Sequence, residues 1–195
     1  MESSTMRQRR CCCTELKEVH ITNIKDSGSR REFESGAVRD CNDSKGRCDL
    51  LPMDVVSFLV KHDGSLEEDY GSLEILECIH LFLSSPHDRS DEDFILYALH
   101  KFAKQNGWDI YTMLLEVSIH FADGCAKYGE RNWQKGIPAH CYIDSALRHY
   151  FKWCRGDEDE PHNRAFCWNL LCLLWTLRHR PECNDLWEKD NGDGR

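Results

Sequence analysis

Residues 165–177 limit the fold of this chain more than any other segment. Drawn as a helix, the run is apolar on nearly every side, and Asn169 is its only amide. Such a helix needs other protein around it, because no side of it suits water. The run is too short to span a bilayer. Pro161 is well placed to begin the helix, so the sequence predicts a central helix within a helical bundle.

The helical spacing of apolar residues elsewhere in the chain predicts the surrounding helices. We expect them over residues 55–61, 73–83, 90–106, 109–128 and 140–155. The predicted inward face of the last of these holds Ile143, Leu147, Phe151 and Cys154. No segment outside the N-terminal region alternates convincingly between apolar and polar residues, as a half-buried strand would. The predicted fold class is all-α.

The two ends of the chain differ in composition from its body. Residues 1–34 carry Arg7, Arg9, Arg10, Arg30 and Arg31 among serine, threonine and glutamate. They show little periodicity, so we expect a flexible basic segment. Residues 35–187 are predicted to form a single α-helical domain, and the polar tail 188–195 is predicted to fray.

The charge and the cysteines exclude several classes of protein. A net charge of -9 argues against binding a DNA or RNA polymer, which needs a basic surface. The twelve cysteines include no C-x-x-C pair, so we expect neither a disulfide framework nor a cysteine zinc site. The N-terminus lacks the apolar core of a signal peptide. We therefore expect a reduced, cytosolic protein without a membrane partner.

Glu116, His120 and Asp123 recur at helical spacing within the segment 109–128, and so would share one face of that helix. Apolar residues such as Leu115 and Ile119 occupy a neighbouring face. Helix bundles use an acidic stripe beside a core face to project metal ligands inward. The alternative is an ordinary solvated face, which the stripe alone does not exclude.

The segment 127–136 combines cations, an amide and aromatic rings within a few residues. These groups are Tyr128, Arg131, Asn132, Trp133 and Lys135. Arginine binds phosphate through its bidentate fork and lysine through its point charge, and an aromatic ring can stack on a base. The segment is therefore a candidate for nucleotide recognition. The alternative is a surface turn anchored by a half-buried tryptophan.

The segment 144–169 adds further candidates. Asp144 and Arg148 are spaced as a helical ion pair, which is their default interpretation, and His149 follows them. Residues 156–162 then place four carboxylates and an imidazole at a helix junction. Carboxylates this dense suit Mg²⁺, and a solvated acidic loop is the alternative. A buried Asn169 amide needs a partner, so we expect it to reach the site or the backbone of a neighbouring helix.

Two His-Asp dipeptides, His62-Asp63 and His87-Asp88, are compatible with an HD-type phosphohydrolase motif. In a chain with ten histidines and many aspartates, about one such pair arises by chance. We expect both pairs in loops, where paired metal ligands would not be aligned. The HD interpretation is therefore rejected.

Several segments, in fixed order, resemble those of a protein family found in bacteriophages and bacteria. The segments are 35–40, 45–52, 115–124, 127–138, 144–149 and 157–169. The family is the dATP/dGTP diphosphohydrolase N-terminal domain, which is related to all-α, MazG-like nucleotide pyrophosphohydrolases. The resemblance covers roughly residues 35–177, and residues 64–107 look like an inserted helical pair. A Glu-x-x-Glu spacing like that of MazG-like proteins occurs at Glu74 and Glu77, within that pair.

The resemblance implies hydrolysis of a (deoxy)nucleoside triphosphate, with a purine base expected, to the monophosphate and pyrophosphate in the host cytosol. It implies Mg²⁺ as cofactor, with Mn²⁺ as the alternative, and a homo-oligomer. The implied catalytic residues are Glu116, Asp123, His149 and His162. The implied metal ligands are Glu116, Asp123, Asp144, Asp157, Asp159 and Glu160. The implied substrate-binding residues are Lys45, Arg47, Tyr128, Arg131, Asn132, Trp133, Lys135, Arg148 and Asn169.

Two other classes of function stay open at this point. One is a non-catalytic protein that sequesters a signalling nucleotide, as a phage anti-defence protein would. The other is a structural interaction protein whose inserted helices form the contact surface. Heat denaturation after incubation with nucleotide distinguishes them, because a binder returns intact ligand and an enzyme returns monophosphate. A purely structural protein would not be stabilised by any nucleotide.

Overall fold

The computed structural model describes residues 29–41, 45–85 and 91–186. These ranges contain six α-helices, which confirms the predicted all-α helical bundle. They are α1 (Met53–Tyr70), α2 (Ile75–Ser84), α3 (Glu92–Gln105), α4 (Ile110–Tyr128), α5 (Ala139–Arg155) and α6 (His162–His179). Short 3-10 turns lie at Cys48–Leu50, Asn132–Lys135 and Pro181–Cys183.

A small antiparallel hairpin lies within residues 29–41, which belong to a unit separate from that of the helices. Its strands are β1 (Arg30–Glu32) and β2 (Val38–Asp40), paired so that Arg31 faces Arg39. At the turn, the backbone N–H of Gly36 donates to the carbonyl of Phe33. The strands lie on either side of the boundary between residues 34 and 35, where we predicted that the helical domain begins. Arg7, Arg9, Arg10 and the tail 188–195 lie outside the described residues.

Helix α6 is the centre of the bundle, as its all-round apolar sequence predicted. Its side chains from Leu170 to Leu174 are fully buried. It contacts α5, α4, α3 and α1, so burial on every side replaces the solvated face that a surface helix would have. The amide Nδ2 of Asn169 donates to the carbonyl of Ala165, 2.8 Å away in the same helix. Of the two predicted alternatives, a bond to the backbone of a neighbouring helix is therefore not observed.

The segment 64–107 contributes to the common core. Helix α1 continues without a break through Gly64 to Tyr70, beyond the end predicted at residue 61, so His62 and Asp63 are helical and our placement of them in a loop was wrong. His87-Asp88 lies outside the described residues. Phe102 of α3 packs on Phe166 of α6, with ring centroids 4.4 Å apart. The segment is thus part of the scaffold that supports α6.

Glu74 and Glu77, the Glu-x-x-Glu pair within the segment 64–107, cap α2. The backbone N–H of Glu74 donates to the Glu77 carboxylate at 2.7 Å, and the Glu74 side chain accepts from the backbone of Glu77. This reciprocal arrangement satisfies two N–H groups that a helix start leaves without partners. The pair therefore has a structural role at a helix end.

Helix α4 begins where the sequence predicted, because the Asp109 side chain accepts a bond from the Thr112 N–H at 2.7 Å. The predicted inward faces need correction. Leu115 is 59% exposed and Phe151 is 54% exposed, and Cys154 is exposed as well. In the last turns of α5 the contact with Phe102 is made by Tyr150 and Trp153 instead. These aromatic contacts show that the inward face of α5 is shifted by one residue from the predicted one.

A close approach of backbone to backbone fixes the segment before α1 onto α4. Gly46 has φ +74°, and a Cβ atom there would lie 2.1 Å from the hydroxyl oxygen of Ser118. The next N–H, that of Arg47, donates to the Ser118 carbonyl at 2.9 Å. Glycine is therefore required for this docking, which buries Leu50 beside α4.

Two whole-chain expectations concern the cysteines and the membrane. The nine cysteines within the described ranges are free thiols, and Cys78, Cys167 and Cys172 among them are buried. Burial of a reduced cysteine is ordinary, since the thiol behaves as a small apolar group. Each helix within the same ranges is too short or too polar to cross a bilayer.

Candidate functional site

A cavity of about 390 Å³ lies between α4, α5, α6 and the loop 129–138. Its volume is within the range of roughly 300–1,000 Å³ that small-molecule sites occupy. Its polar wall includes His120, Ser145, His149, Asn132 and Asn169. Its aromatic wall consists of Phe121, Tyr128, Trp133 and Trp168, and Leu50 closes it from the segment that Gly46 docks. The cavity can therefore offer both apolar contact and hydrogen bonds to one ligand.

Arg131 supplies the cation of the cavity wall. It is the one described residue other than glycine with a positive φ, at 52°, and it directly precedes the 3-10 turn at Asn132–Lys135. This left-handed conformation costs a non-glycine residue about 1 kcal/mol. One guanidinium nitrogen donates to the backbone carbonyl of Asp49 at 3.0 Å. The loop thus holds the side chain at the cavity in spite of local strain.

Trp133 is a core anchor as well as a wall residue. Its side chain is 5% exposed and meets Trp175 edge to face, with centroids 4.8 Å apart, and Phe121 at 5.6 Å. The alternative interpretation, a turn anchored by a tryptophan, describes it better than a base-stacking plate. Tyr128 is 59% exposed and lines the same cavity. It is the ring that a base can reach.

Two buried indole N–H groups in the wall lack a partner. They belong to Trp133 and Trp168, and no acceptor for either lies among the described residues. A buried donor without an acceptor costs about 1–3 kcal/mol. Such groups are usually satisfied by ordered water or by a ligand. Both tryptophans line the cavity, while the two nitrogen atoms themselves are buried.

The six predicted metal ligands do not converge on one point. Five of them are ion-paired. The pairs are Glu116 with Arg164, Asp144 with Arg148, Asp157 with Arg155, and Asp159 and Glu160 with Lys152. Glu116 accepts two bonds from the Arg164 guanidinium, at 2.6 and 2.8 Å. Asp144 and Arg148 form the plain helical pair that was their default interpretation. Both carboxylates are therefore already neutralised by an arginine.

The acidic face of α4 nevertheless turns towards the junction of α5 and α6. Burial lowers the pKa of His120, and the charges of Asp123 and Glu160 oppose that shift while Arg164 adds to it. Both carboxylates thus act on one imidazole in the cavity wall. His120 was seen in the stripe but was not among the predicted site residues. Its position between two acidic neighbours at helical spacing was the available signal.

The junction of α5 and α6 brings together two histidines and two carboxylates, which we call the α5–α6 corner. It consists of His149, Asp159, Glu160 and His162. The Nδ1 atoms of the two histidines are 2.9 Å apart, and Oε1 of Glu160 lies 3.7 Å from each. Nε2 of His162 donates to Asp159 at 2.7 Å. His149 also lines the cavity, so the corner and the cavity are adjacent.

Two environments set the charges in the corner. Burial lowers the pKa of His149, although the charge of Glu160 opposes the shift. Hydrogen bonds from Lys152 and His162 lower the pKa of Asp159 to about 2. Near neutral pH the corner therefore combines a mostly neutral imidazole at His149 with an ionised carboxylate at Asp159.

The predicted substrate-binding residues divide into those that line the cavity and those that do not. The structure places Tyr128, Arg131, Asn132, Trp133 and Asn169 in the cavity wall. The rest of the set does not line it and consists of Lys45, Arg47, Lys135 and Arg148. The Arg47 guanidinium instead donates two hydrogen bonds to the Asp49 carboxylate, at 2.6 and 2.7 Å. Local ion pairing thus occupies two of these four cations, Arg47 and Arg148.

Sequence reasoning also missed wall residues with no charge. Trp168 was taken only as part of the apolar run, and Gly124 only as part of a motif. Gly124 lies within α4 and lines the cavity, and a Cβ atom there would meet nothing within 4 Å. A glycine inside a helix costs about 1 kcal/mol relative to alanine. That cost was a readable signal that something other than helix stability matters at position 124.

Mg²⁺ would find only part of its preferred ligand set. It favours oxygen ligands, yet both described groups of three side chains close enough to share an ion include His162. The ion commonly uses one or two carboxylates together with substrate phosphates and waters. Asp123, whose charge acts on His120 in the cavity wall, could supply one such carboxylate.

Comparison with known proteins bears on the same part of the chain. Residues 103–186 match the family model described as dATP/dGTP diphosphohydrolase, N-terminal, which is less than half of the chain. No curated protein and no solved structure matches the chain. The match contains α4, α5 and α6 and confirms the resemblance over these helices. Over residues 103–186 the chain is therefore similar to the dATP/dGTP diphosphohydrolase N-terminal family.

Proposed function

We propose that this protein hydrolyses nucleotides, converting a (deoxy)nucleoside triphosphate, with a purine base, to the monophosphate and pyrophosphate. The observation that carries the proposal is the coincidence of the cavity with the family match. All the wall residues except Leu50 lie within residues 103–186. The part of the chain that resembles a nucleotide hydrolase is thus the part that encloses a space of ligand size.

The wall offers a separate contact for each part of such a substrate. The Arg131 guanidinium is suited to phosphate oxygens, because its fork can donate two parallel bonds. The exposed ring of Tyr128 is suited to stack on the base. The amides of Asn132 and Asn169 are suited to the polar edge of a base, since each carries both donors and an acceptor.

His120 is the group best placed to accept a proton from the attacking water. Its lowered pKa leaves a ring nitrogen unprotonated near neutral pH, and Asp123 and Glu160 would stabilise the proton once it arrives. The water oxygen attacks the α-phosphorus, and the bond from that phosphorus to the bridging oxygen breaks. Pyrophosphate leaves, and the nucleoside monophosphate keeps the water oxygen.

Mg²⁺ is the proposed cofactor, with Mn²⁺ as the alternative. When bound, it would neutralise charge on the phosphates. Asp123 is the carboxylate proposed to hold it, in place of the wider set derived from the sequence. Glu116 and Asp144 are left out, because an arginine already pairs with each of them.

We also propose that the protein works as a homo-oligomer. Tyr111 and Leu115 are 62% and 59% exposed and lie one helical turn apart on α4. Large apolar side chains that share an exposed helix face are typical of contact surfaces. Light scattering of the purified protein tests this, and a monomer mass at all concentrations contradicts it.

The activity is tested by incubating the purified chain with Mg²⁺ and each common ribo- and deoxynucleoside triphosphate. Release of monophosphate and pyrophosphate in equal amounts is expected. Arg131→Gln should lower kcat/KM about tenfold or more, since about 1.4 kcal/mol of phosphate binding corresponds to a factor of ten. Lys61→Gln is the matched control, because this exposed lysine lies on α1, away from the cavity wall. The proposal fails if no nucleotide yields monophosphate.

A nucleotide-sequestering protein is the second candidate, as in phage anti-defence. The Glu116–Arg164 pair favours it, because a carboxylate held by an arginine is not available to a metal ion. Heat denaturation after incubation with nucleotide separates the two candidates. Recovery of intact triphosphate supports sequestration, and recovery of monophosphate supports hydrolysis.

A further inference from the structure

We propose that His149, Glu160 and His162 form a binding site for a transition-metal ion of the kind that prefers imidazole nitrogen, such as Zn²⁺ or Co²⁺. The site would be distinct from the magnesium that accompanies a nucleotide. It does not depend on nucleotide hydrolysis, and its test contains no nucleotide.

The three ligand atoms already have the spacing that a metal ion requires. The two Nδ1 atoms are 2.9 Å apart and Oε1 of Glu160 is 3.7 Å from each. A point equidistant from three atoms at these separations lies about 2.0 Å from each, which is about the length of a zinc–nitrogen or zinc–oxygen bond. The ligands therefore need little movement to receive an ion.

Asp159 completes an arrangement typical of metal-binding histidines. Such a histidine usually donates its other ring N–H to a carboxylate, which fixes the ring and makes the ligating nitrogen more basic. Nε2 of His162 donates to Asp159 at 2.7 Å, so its Nδ1 faces Glu160 and His149. Lys152 holds the other oxygen of Asp159 at 2.8 Å. His162 is 2% exposed, so this is a built site and not a solvated surface cluster.

The connection between α5 and α6 holds the ligands in place from both sides. Gly156 ends α5 with φ +83°, and the next N–H, of Asp157, donates to Lys152 at 3.0 Å. The backbone N–H of His162 donates to Glu160 at 2.8 Å where α6 begins. In the metal-free protein one histidine must donate a proton to the other across the 2.9 Å contact. Binding would require His149 to carry its proton on Nε2.

The donor set determines which kind of ion fits. Two imidazoles and one carboxylate suit zinc, cobalt, nickel or iron, whereas magnesium favours oxygen alone. Three protein ligands also leave one tetrahedral position for water or for an anionic ligand. Since His149 borders the cavity, an ion in the corner would stand beside whatever the cavity holds.

Titration of the full chain with Co²⁺ tests the site, after chelation of bound metal and with the thiols kept reduced. Visible absorption from one equivalent of cobalt bound to nitrogen and oxygen is expected. Glu160→Gln should weaken binding at least about tenfold, whereas Asp159→Asn should weaken it by about 10- to 100-fold through its histidine. Glu158→Gln is the matched control, because Glu158 is an exposed neighbour outside the ligand group. Its cobalt spectrum should equal that of the wild type.

Three results would overturn the site. They are no visible cobalt band from the wild type, an unchanged affinity in Glu160→Gln, and the near-ultraviolet charge-transfer band that marks binding by a cysteine thiolate. Glu160 is exposed, so its replacement should leave the fold intact, which circular dichroism verifies. His149→Ala gives a second variant that removes one imidazole, and it should likewise lose the cobalt band.

Discussion

The described part of the chain contains two clusters in which a buried histidine meets carboxylates, and the two differ in how the ring nitrogens are used. In the first, between α1 and α3, His100 bonds through Nδ1 to Asp63 at 2.6 Å and through Nε2 to Glu67 at 3.0 Å. In the α5–α6 corner, two histidines place nitrogen against nitrogen at 2.9 Å. The first cluster is saturated by its own residues, whereas the second brings together atoms that an ion could bind.

The comparison shows that burial of a histidine does not by itself mark a functional site. His100 is 7% exposed and His162 is 2% exposed, so burial does not distinguish them. The orientation of the ring nitrogens does, because a nitrogen that meets another nitrogen gains less than one that meets a carboxylate. The α1–α3 cluster is therefore interpreted as a structural tie between helices, and the corner as a site.

The largest expected effect is the loss of stability when the α1–α3 cluster is broken. His100→Ala removes both bonds to α1 and leaves a small cavity, so it should lower the free energy of unfolding by about 2–4 kcal/mol. His149→Ala in the metal-free protein should cost less than half as much. Urea denaturation measures both, with His80→Ala on the exposed face of α2 as control. Equal losses for His100 and His149 would remove the distinction between the clusters.

Acidification should affect the corner next. The pKa of His149 is lowered from the ordinary value of 6.5, so the unfolded chain takes up the proton first, and stability falls as the pH drops through and below 6.5. The pKa of Asp159 is lowered from 3.8 to about 2, so its contribution is complete above 3.8 and is lost only towards pH 2.

Urea denaturation of the metal-free protein between about pH 7.5 and about pH 5 measures the histidine contribution. His149→Gln should lose less stability over this interval than the wild type does. The difference should be incomplete, because burial also lowers the pKa of His120, which stays in both proteins. Parallel curves for the two proteins would show that His149 does not titrate as proposed.

The smallest effect should come from the exposed pair next to the corner. Arg148 precedes His149 in sequence, but it pairs with Asp144 on the exposed side of α5. Arg148→Ala should therefore cost less than about 0.5 kcal/mol and leave cobalt binding unchanged. A loss of cobalt affinity in this variant would show that the site extends beyond the α5–α6 corner. It would then differ less clearly from the α1–α3 cluster.

Sequence periodicity predicted the parts of the fold that local pattern determines. The apolar run around Asn169 predicted the central helix, and Asp109 predicted the start of α4, because both features act within one helix. The end of α1 was missed, since residues 62–70 are mostly polar and only Leu66 among them is buried. Its helical state depends on contacts with α3 that no local pattern reveals.

The candidate site was predictable in location more than in detail. The segments that line the cavity were selected from their residue types, but their pairing was not. Glu116 looked like a metal ligand until Arg164, distant in sequence, proved to neutralise it. Trp133 looked like a stacking plate until Trp175 and Phe121 proved to enclose it. In each case a partner from another helix changed the role, and only the three-dimensional packing supplies that partner.

Gly124 gives the cavity a means of adjustment. Because a Cβ at this position meets no atom within 4 Å, alanine could be accommodated there at the expense of ligand space alone. Alanine would also strengthen α4 by about 1 kcal/mol. Position 124 is therefore a suitable site for redesign, because a substitution there can restrict the size of the ligand without weakening α4.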